Sequence, residues 1–168
     1  MPHESVTAYV ALGGNLGDRL AHLRAAVRAL GEGAGIRDVV PSPIYETAAV
    51  ADEPQPDYLN AVVRLETTLT PHELLARCLE IEAAEGRVRA PDGRKVSRTI
   101  DLDVLLYGAE VLDEPALAIP HPRLLARPFV RIPLADVAAP GLCHPGTGEP
   151  LDVAAPSADV QLRLWRWL

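Results

Sequence analysis

Cysteine is scarce in this chain of 168 residues: Cys78 and Cys143 are the only two. They stand too far apart to suggest a disulfide framework, and no Cys-x-x-Cys or Cys/His zinc spacing occurs. Both thiols are therefore expected to be reduced and structural, and the expected address is cytoplasmic. Apolar runs long enough to span a membrane are missing. The start, Met1-Pro-His-Glu-Ser5, has neither the basic nor the apolar region of a signal peptide. Positive charge is not in excess either. The net charge of −7 argues against nucleic acid or a membrane surface as partner. What the chain does have is apolar content: 48 % hydrophobic residues allow a core without staples, and the length suits one domain over residues 1–168.

Periodicity divides the chain into elements. Val6, Ala8, Val10 and Leu12 alternate with Thr7, Tyr9 and Ala11, which predicts a strand stopping at Gly13-Gly14-Asn15. Leu16, Leu20, Leu23, Val27 and Leu30 predict one face of a helix ended by Gly31 and Gly33. Ile36 to Thr47 predicts a strand interrupted by Pro41 and Pro43, hence an edge or a bulge. After a loop, Leu59, Ala61, Val63 and Leu65 predict a strand with one core face. Thr70 as N-cap, Pro71 at the first helical position and Glu73 in a capping box open a helix to about Glu85, stopped by Gly86. Thr99 to Tyr107 is the strongest strand. Arg127 to Ile132 predicts a short helix. Beyond Pro133 we expect loops, a short strand or two and a final helical turn near Leu162, with Trp165 and Trp167 packing the C-terminus. The order β-α-β-β-α-β predicts an α+β, ferredoxin-like antiparallel sheet with both helices on one face. Extra C-terminal elements would then cover the other face and give three α-β-α layers, or leave it open for binding.

The chemistry concentrates in the strongest strand. Residues two apart share a face, so Ile100, Leu102, Val104 and Leu106 are expected to turn toward the helices and Asp101 and Asp103 away from them. Two carboxylates roughly 6.5–7 Å apart at the root can converge on one cation or bridge two. Oxygen ligands of this kind suit Mg²⁺. Aspartate is a poor strand former and like charges repel, so a solvent-facing pair in mid-strand needs a compensating reason. Just upstream, Arg87, Arg89, Arg94, Lys95 and Arg98 supply the positive charge that a transferring phosphoryl group requires, although such a run is also what a solvated loop looks like. Asn60 faces the aspartates' side if register allows; its amide can read a heterocycle edge or simply meet solvent. His121 is a phosphate donor or a turn residue between prolines. Phe129, the only phenylalanine, is core or a stacking platform. Gly13-Gly14-Asn15 reads as a tight strand-to-helix turn.

An ordered set of motifs runs along the chain: Leu12-Gly-Gly-Asn-Leu-Gly17, Tyr45-Glu-Thr47, Gln55-Pro-Asp-Tyr-Leu-Asn-Ala61, Glu82 to Arg89, Arg98-Thr-Ile-Asp-Leu-Asp-Val104, Ile119-Pro-His-Pro-Arg123 and Arg127-Pro-Phe-Val130. From Ala8 to about Pro140 the sequence resembles the 6-hydroxymethyl-7,8-dihydropterin pyrophosphokinase family of folate biosynthesis. The resemblance implies transfer of a diphosphate from ATP to the pterin hydroxymethyl group, releasing AMP, by a monomer that uses two Mg²⁺ ions held at Asp101 and Asp103. It implies ATP contacts from Glu82, Arg87, Arg89, Arg94, Arg98, Val104, His121 and Arg127. Thr47, Ala48, Val50, Tyr58, Asn60 and Phe129 would hold the pterin. Arg87 and Arg98, with the aspartates, would stabilise charge during transfer. The chain departs from the family pattern at Arg94-Lys-Val-Ser97, where Trp-Gly-Pro is common, so the loop that closes over substrates lacks its usual tryptophan. A two-metal nucleotidyl transferase would need a third acidic ligand and, for a polymer, a basic surface. A non-catalytic ligand-sensing domain would have no need of Asp101 and Asp103 together.

Overall fold

The structure is a computed structural model; it describes residues 4–49, 54–88, 90–92, 97–153 and, as backbone, 162–166. The central antiparallel sheet has β5 (Asp101–Tyr107), β1 (Val6–Gly14), β4 (Tyr58–Thr67), β3 (Ile44–Thr47) and β8 (Leu162–Arg166) in that order, with β2 (Ile36–Pro41) also on β4. Helices α1 (Arg19–Glu32) and α2 (Pro71–Ala84) cover one face; α3 (Pro128–Val137) covers the other. A short hairpin, β6 (Leu112–Asp113) with β7 (Ala118–Ile119), follows β5. This is the expected α+β arrangement in three layers.

Strand alternation explains the layers. Ala8, Val10 and Leu12 of β1 and Leu59, Ala61, Val63 and Leu65 of β4 pack under Leu23, Ala26, Leu30, Leu74, Cys78 and Ile81 of the two helices. The opposite residues Tyr9 and Val62 join Val130, Leu134 and Val137 of α3. Burial in the first layer pushes the Cys78 thiol up to about 12, which keeps it an inert core group. The capping box of α2 forms as the sequence predicts: Glu73 N–H donates to Thr70 Oγ1 at 3.2 Å and Thr70 N–H to Glu73 Oε2 at 2.7 Å.

Five expectations need correction. Leu16 is not on the α1 face. It is 45 % exposed, and Asp18 caps the helix through a bond from Ala21 N–H. Leu106 does not face the helices: the register passes from Tyr9↔Leu106 to Val10↔Val104, so Leu105 bulges. The bulge turns Leu105 and Leu106 both toward α3 and gives Tyr107 to the helical side. Ile36 to Thr47 is two strands that pair in turn with β4. Ser42 makes the break; its N–H donates to Val62 O and its Oγ accepts from Val62 N–H. The tail near Leu162 is a strand on β3 rather than a helical turn, because the open edge of β3 offers backbone partners that a short terminal helix would lack. The helix at Arg127–Ile132 runs on to Val137 even though Pro133 lies inside it.

Candidate functional site

The open end of the sheet is set by two glycines. In the register, Gly13 lies between Asn60 on β4 and Asp101 on β5, so these two share one face of the sheet, and Ala11 pairs with Asp103 on the same face. A Cβ on Gly14 would stand 2.3 Å from Thr99 O, so only glycine lets β1 approach the segment entering β5. Asn15 then ties that segment down. Its N–H and that of Leu16 donate to Arg98 O at 3.0 and 3.1 Å, while its Oδ1 accepts from Arg98 N–H at 2.9 Å. Its Nδ2 donates to Pro56 O and Gln55 Oε1. This residue, 2 % exposed, is a structural hub that the sequence presents only as part of a turn. The one clue is an amide between glycines, able to donate and accept at once.

Arg87 is placed by the end of α2. Gly86 has φ +82°, and the N–H groups of Arg87 and Gly86 bond back to Glu82 O and Ala83 O, the Schellman pattern. The guanidinium therefore folds under the sheet end, where Arg87 Nη1 donates to Asp101 Oδ1 at 2.7 Å, Ile100 O at 3.1 Å and the buried Glu82 Oε1 at 3.3 Å. Arg98 Nη1 donates to Asp101 Oδ2 at 3.1 Å. Burial alone would raise the Asp101 carboxyl, but Arg87 and then Arg98 outweigh it and hold Asp101 below the usual carboxylate range. Asp103 has no such clamp among the described residues. Burial, and next the charge of Asp101, push it up to about 6, with Arg127, Arg87 and Arg98 offsetting only part.

A cavity of about 240 Å³ opens beside Asp103, lined on its apolar side by Leu75, Leu102, Val104, Leu117 and Ala118 and elsewhere by Glu114, His121 and Pro122. Val104 and His121 thus meet at one pocket. His121 Nδ1 accepts from Arg123 N–H at 3.1 Å, which leaves Nε2 to carry the proton of the neutral ring. Burial, then Arg127 and Arg123, lower its pKa and favour that neutral form. Arg127, its own pKa lowered chiefly by burial, stands 5.7 Å from the Phe129 ring centroid. Arg98 stands 5.8 Å from that of Tyr58. Thr47 pairs with Tyr58 across β3 and β4, and exposed Ala48 follows it. Asn60, 6 % exposed, has a buried Nδ2 with no partner among the described residues. Val50, Arg89, Arg94, Lys95 and Trp167 lie outside the described residues, as does the Trp165 side chain.

Two hard carboxylates on one face suit a divalent cation, and the raised Asp103 carboxyl is the group a cation would relieve. Among the described residues no cluster of three His, Cys, Asp or Glu completes a protein cage, so waters and a phosphate would have to fill the shell. Nor is any described helix long and apolar enough to cross a membrane.

A ferredoxin-like sheet carrying this arrangement defines a small α+β transferase of the kinase type. The sequence model of the family described as 7,8-dihydro-6-hydroxymethylpterin-pyrophosphokinase (HPPK) matches residues 9–139. The chain belongs to that family. It is 49 % identical over 132 residues to a 2-amino-4-hydroxy-6-hydroxymethyldihydropteridine pyrophosphokinase of Methylorubrum extorquens, covering 78 % of this chain and 82 % of the relative. The proteins of the same name from Haemophilus influenzae (41 %, covering 80 % of this chain and 82 % of the relative) and Bacillus subtilis (44 %, covering 77 % of each) are similar to it. A crystal structure of Plasmodium falciparum HPPK-DHPS superposes with a TM-score of 0.66 at 13 % identity, which speaks for the fold. It covers 89 % of this chain, which spans only 43 % of that longer one.

Proposed function

We propose that this chain carries a diphosphate from ATP to the hydroxymethyl oxygen of 6-hydroxymethyl-7,8-dihydropterin, a step of folate biosynthesis, as a cytoplasmic single-domain monomer. The hydroxymethyl oxygen bonds the β-phosphorus, the α–β bridge breaks, AMP leaves and the hydroxyl proton is released. The observation that carries the reading is the asymmetric aspartate pair: Asp101 clamped by two guanidiniums and Asp103, without such a clamp among the described residues, lining the cavity.

The residues divide the work. Asp101 and Asp103 would hold two Mg²⁺, which when bound neutralise the triphosphate. Arg87 and Arg98 pair with Asp101, from where their charge can follow the phosphates during transfer. The apolar cavity takes the nucleoside. Its wall residue His121 offers an Nε2–H to a phosphate oxygen, and Arg127, near Asp103, adds a cation. The Asn60 amide, whose Nδ2 has no partner among the described residues, would donate to the pterin edge, with Tyr58 and Phe129 as platforms for its ring and the backbone of Thr47 and Ala48 beside it. No side chain serves as a covalent nucleophile; positioning and charge do the chemistry.

The test is AMP formation by the purified protein. AMP is expected only when ATP, Mg²⁺ and the pterin alcohol are all present. AMP release that ignores the pterin overturns the reading.

A further inference from the structure

One wall of the cavity beside Asp103 comes from the hairpin after β5. The turn between β6 and β7 carries Glu114, which lines the cavity together with Leu75 of α2. Glu114 Oε2 is hydrogen-bonded at 2.6 Å to His72 Nε2, and His72 lies three residues before Leu75 on the same face of α2. The bond fixes the carboxylate at the rim and leaves Oε1 with no bond among the described residues. The cavity is graded. Leu102, Val104 and Leu117 are buried to 6 % exposure or less, whereas the Glu114 side chain is 46 % exposed.

That gradient orients a nucleotide. A base belongs against the buried aliphatic end, and the triphosphate belongs on the Asp103 side. A fixed carboxylate at the exposed rim repels phosphate and accepts from hydroxyl groups. Resting on the reading of this cavity as the nucleoside pocket, we infer that Glu114, held by His72, accepts hydrogen bonds from the ribose hydroxyls of ATP and so selects the ribonucleotide over its deoxy forms.

The experiment compares KM for ATP, 2′-deoxy-ATP and 3′-deoxy-ATP in the wild type, Glu114→Ala, Glu114→Gln and His72→Ala. In the wild type, loss of the bonded hydroxyl is expected to raise KM on the order of 10-fold. Glu114→Ala should raise KM for ATP by the same factor, change that for the matching deoxynucleotide less than about twofold, and leave kcat unaltered. His72→Ala should shift the ratio in the same direction by a smaller factor. A Glu114→Ala variant that raises KM equally for all three nucleotides shows only a clip between hairpin and helix and overturns the assignment. So does an effect that disappears with inosine triphosphate while deoxy discrimination persists, since the carboxylate would then read the base amine. Glu114→Gln keeps an oxygen for His72 and gives a second answer should the alanine variant fold poorly: its discrimination should fall between those of wild type and Glu114→Ala, and full wild-type discrimination counts against the assignment. A wild type without pterin-dependent ATP turnover fails at the level of the pocket itself, whereas turnover with unaltered discrimination fails only Glu114.

Discussion

Arg87 Nη1 lies 2.7 Å from Asp101 Oδ1 and also reaches the Glu82 carboxylate, which is 2 % exposed. One guanidinium thus neutralises a buried structural carboxylate and a carboxylate of the site. Removing it takes a cation from each, although Asp101 keeps Arg98. Arg87→Ala is expected to lower stability by about 1–3 kcal/mol, because each carboxylate loses a charged hydrogen-bond donor, and to lower kcat by more than about 100-fold. Thermal unfolding and steady-state rates separate the two effects: adding Glu82→Gln should recover stability but not turnover.

The aspartates titrate in different windows. Asp103 has a folded pKa of about 6, above its unfolded value, so the folded protein binds the extra proton and gains stability as pH falls from about 6 toward about 4. The steepest slope is about 1.4 kcal/mol per pH unit. Asp101 is lowered, so its contribution is present above the unfolded carboxylate pKa and is lost only at more acid pH. Urea unfolding of metal-free protein from about pH 4 to about pH 7 is expected to show the Asp103 slope in wild type and lose it in Asp103→Asn. An unchanged slope in that variant would place the titration elsewhere.

Two glycines give opposite outcomes on substitution. Gly14→Ala sets a Cβ 2.3 Å from the backbone oxygen of Thr99, and neither strand can yield easily. The expected loss is about 1–3 kcal/mol, together with most activity, because the Arg98 segment must move. Gly31 lies inside α1, where an added methyl group would meet nothing within 4 Å. Gly31→Ala is expected to stabilise by about 0.5–1 kcal/mol without touching turnover. Melting curves of the two variants check both signs.

Local chemistry was legible in the sequence, and long-range pairing was not. The Thr70, Pro71 and Glu73 start of α2 and its Gly86 stop need only neighbours a few residues away, and both form as expected. Leu106 faces the other layer because the bulge at Leu105 is a property of its pairing with β1. Leu16 matched helical spacing, but its N–H is taken by Arg98 O, far along the chain. The tail strand at Leu162–Arg166 depends on the free edge of β3. In the site, the shared face of Asp101 and Asp103 follows from a period of two. The bonds of Asn15 to Arg98 and to the loop at Gln55 and Pro56 join three distant segments, and no periodicity announces them.

Those bonds make Asn15 a sensitive polar residue outside the aspartates. Asn15→Ala takes from Arg98 N–H and Pro56 O their bonds to a buried amide, at a cost of about 1–2 kcal/mol. Because the Arg98 segment and the loop leading to Tyr58 both loosen, KM should rise for ATP and for the pterin together. Asn15→Asp keeps the acceptor for Arg98 N–H but sets a charge against Pro56 O, so it should not rescue.

Asn60 is the contrasting amide. It is buried like Asn15, yet its Nδ2 donates to nothing among the described residues. A buried donor without a partner is a cost to the folded state that a ligand can relieve. Asn60→Ala should therefore leave stability within about 1 kcal/mol of wild type while raising KM for the pterin at least about 10-fold. KM for ATP should hardly change, since Gly13 separates Asn60 from Asp101 across the sheet. Substituting Leu, which fills the same space without a donor, should fold at least as well and bind the pterin no better. A variant at this position that loses stability but keeps its pterin KM would mean the amide serves the fold, and the substrate edge would then have to be read by another group.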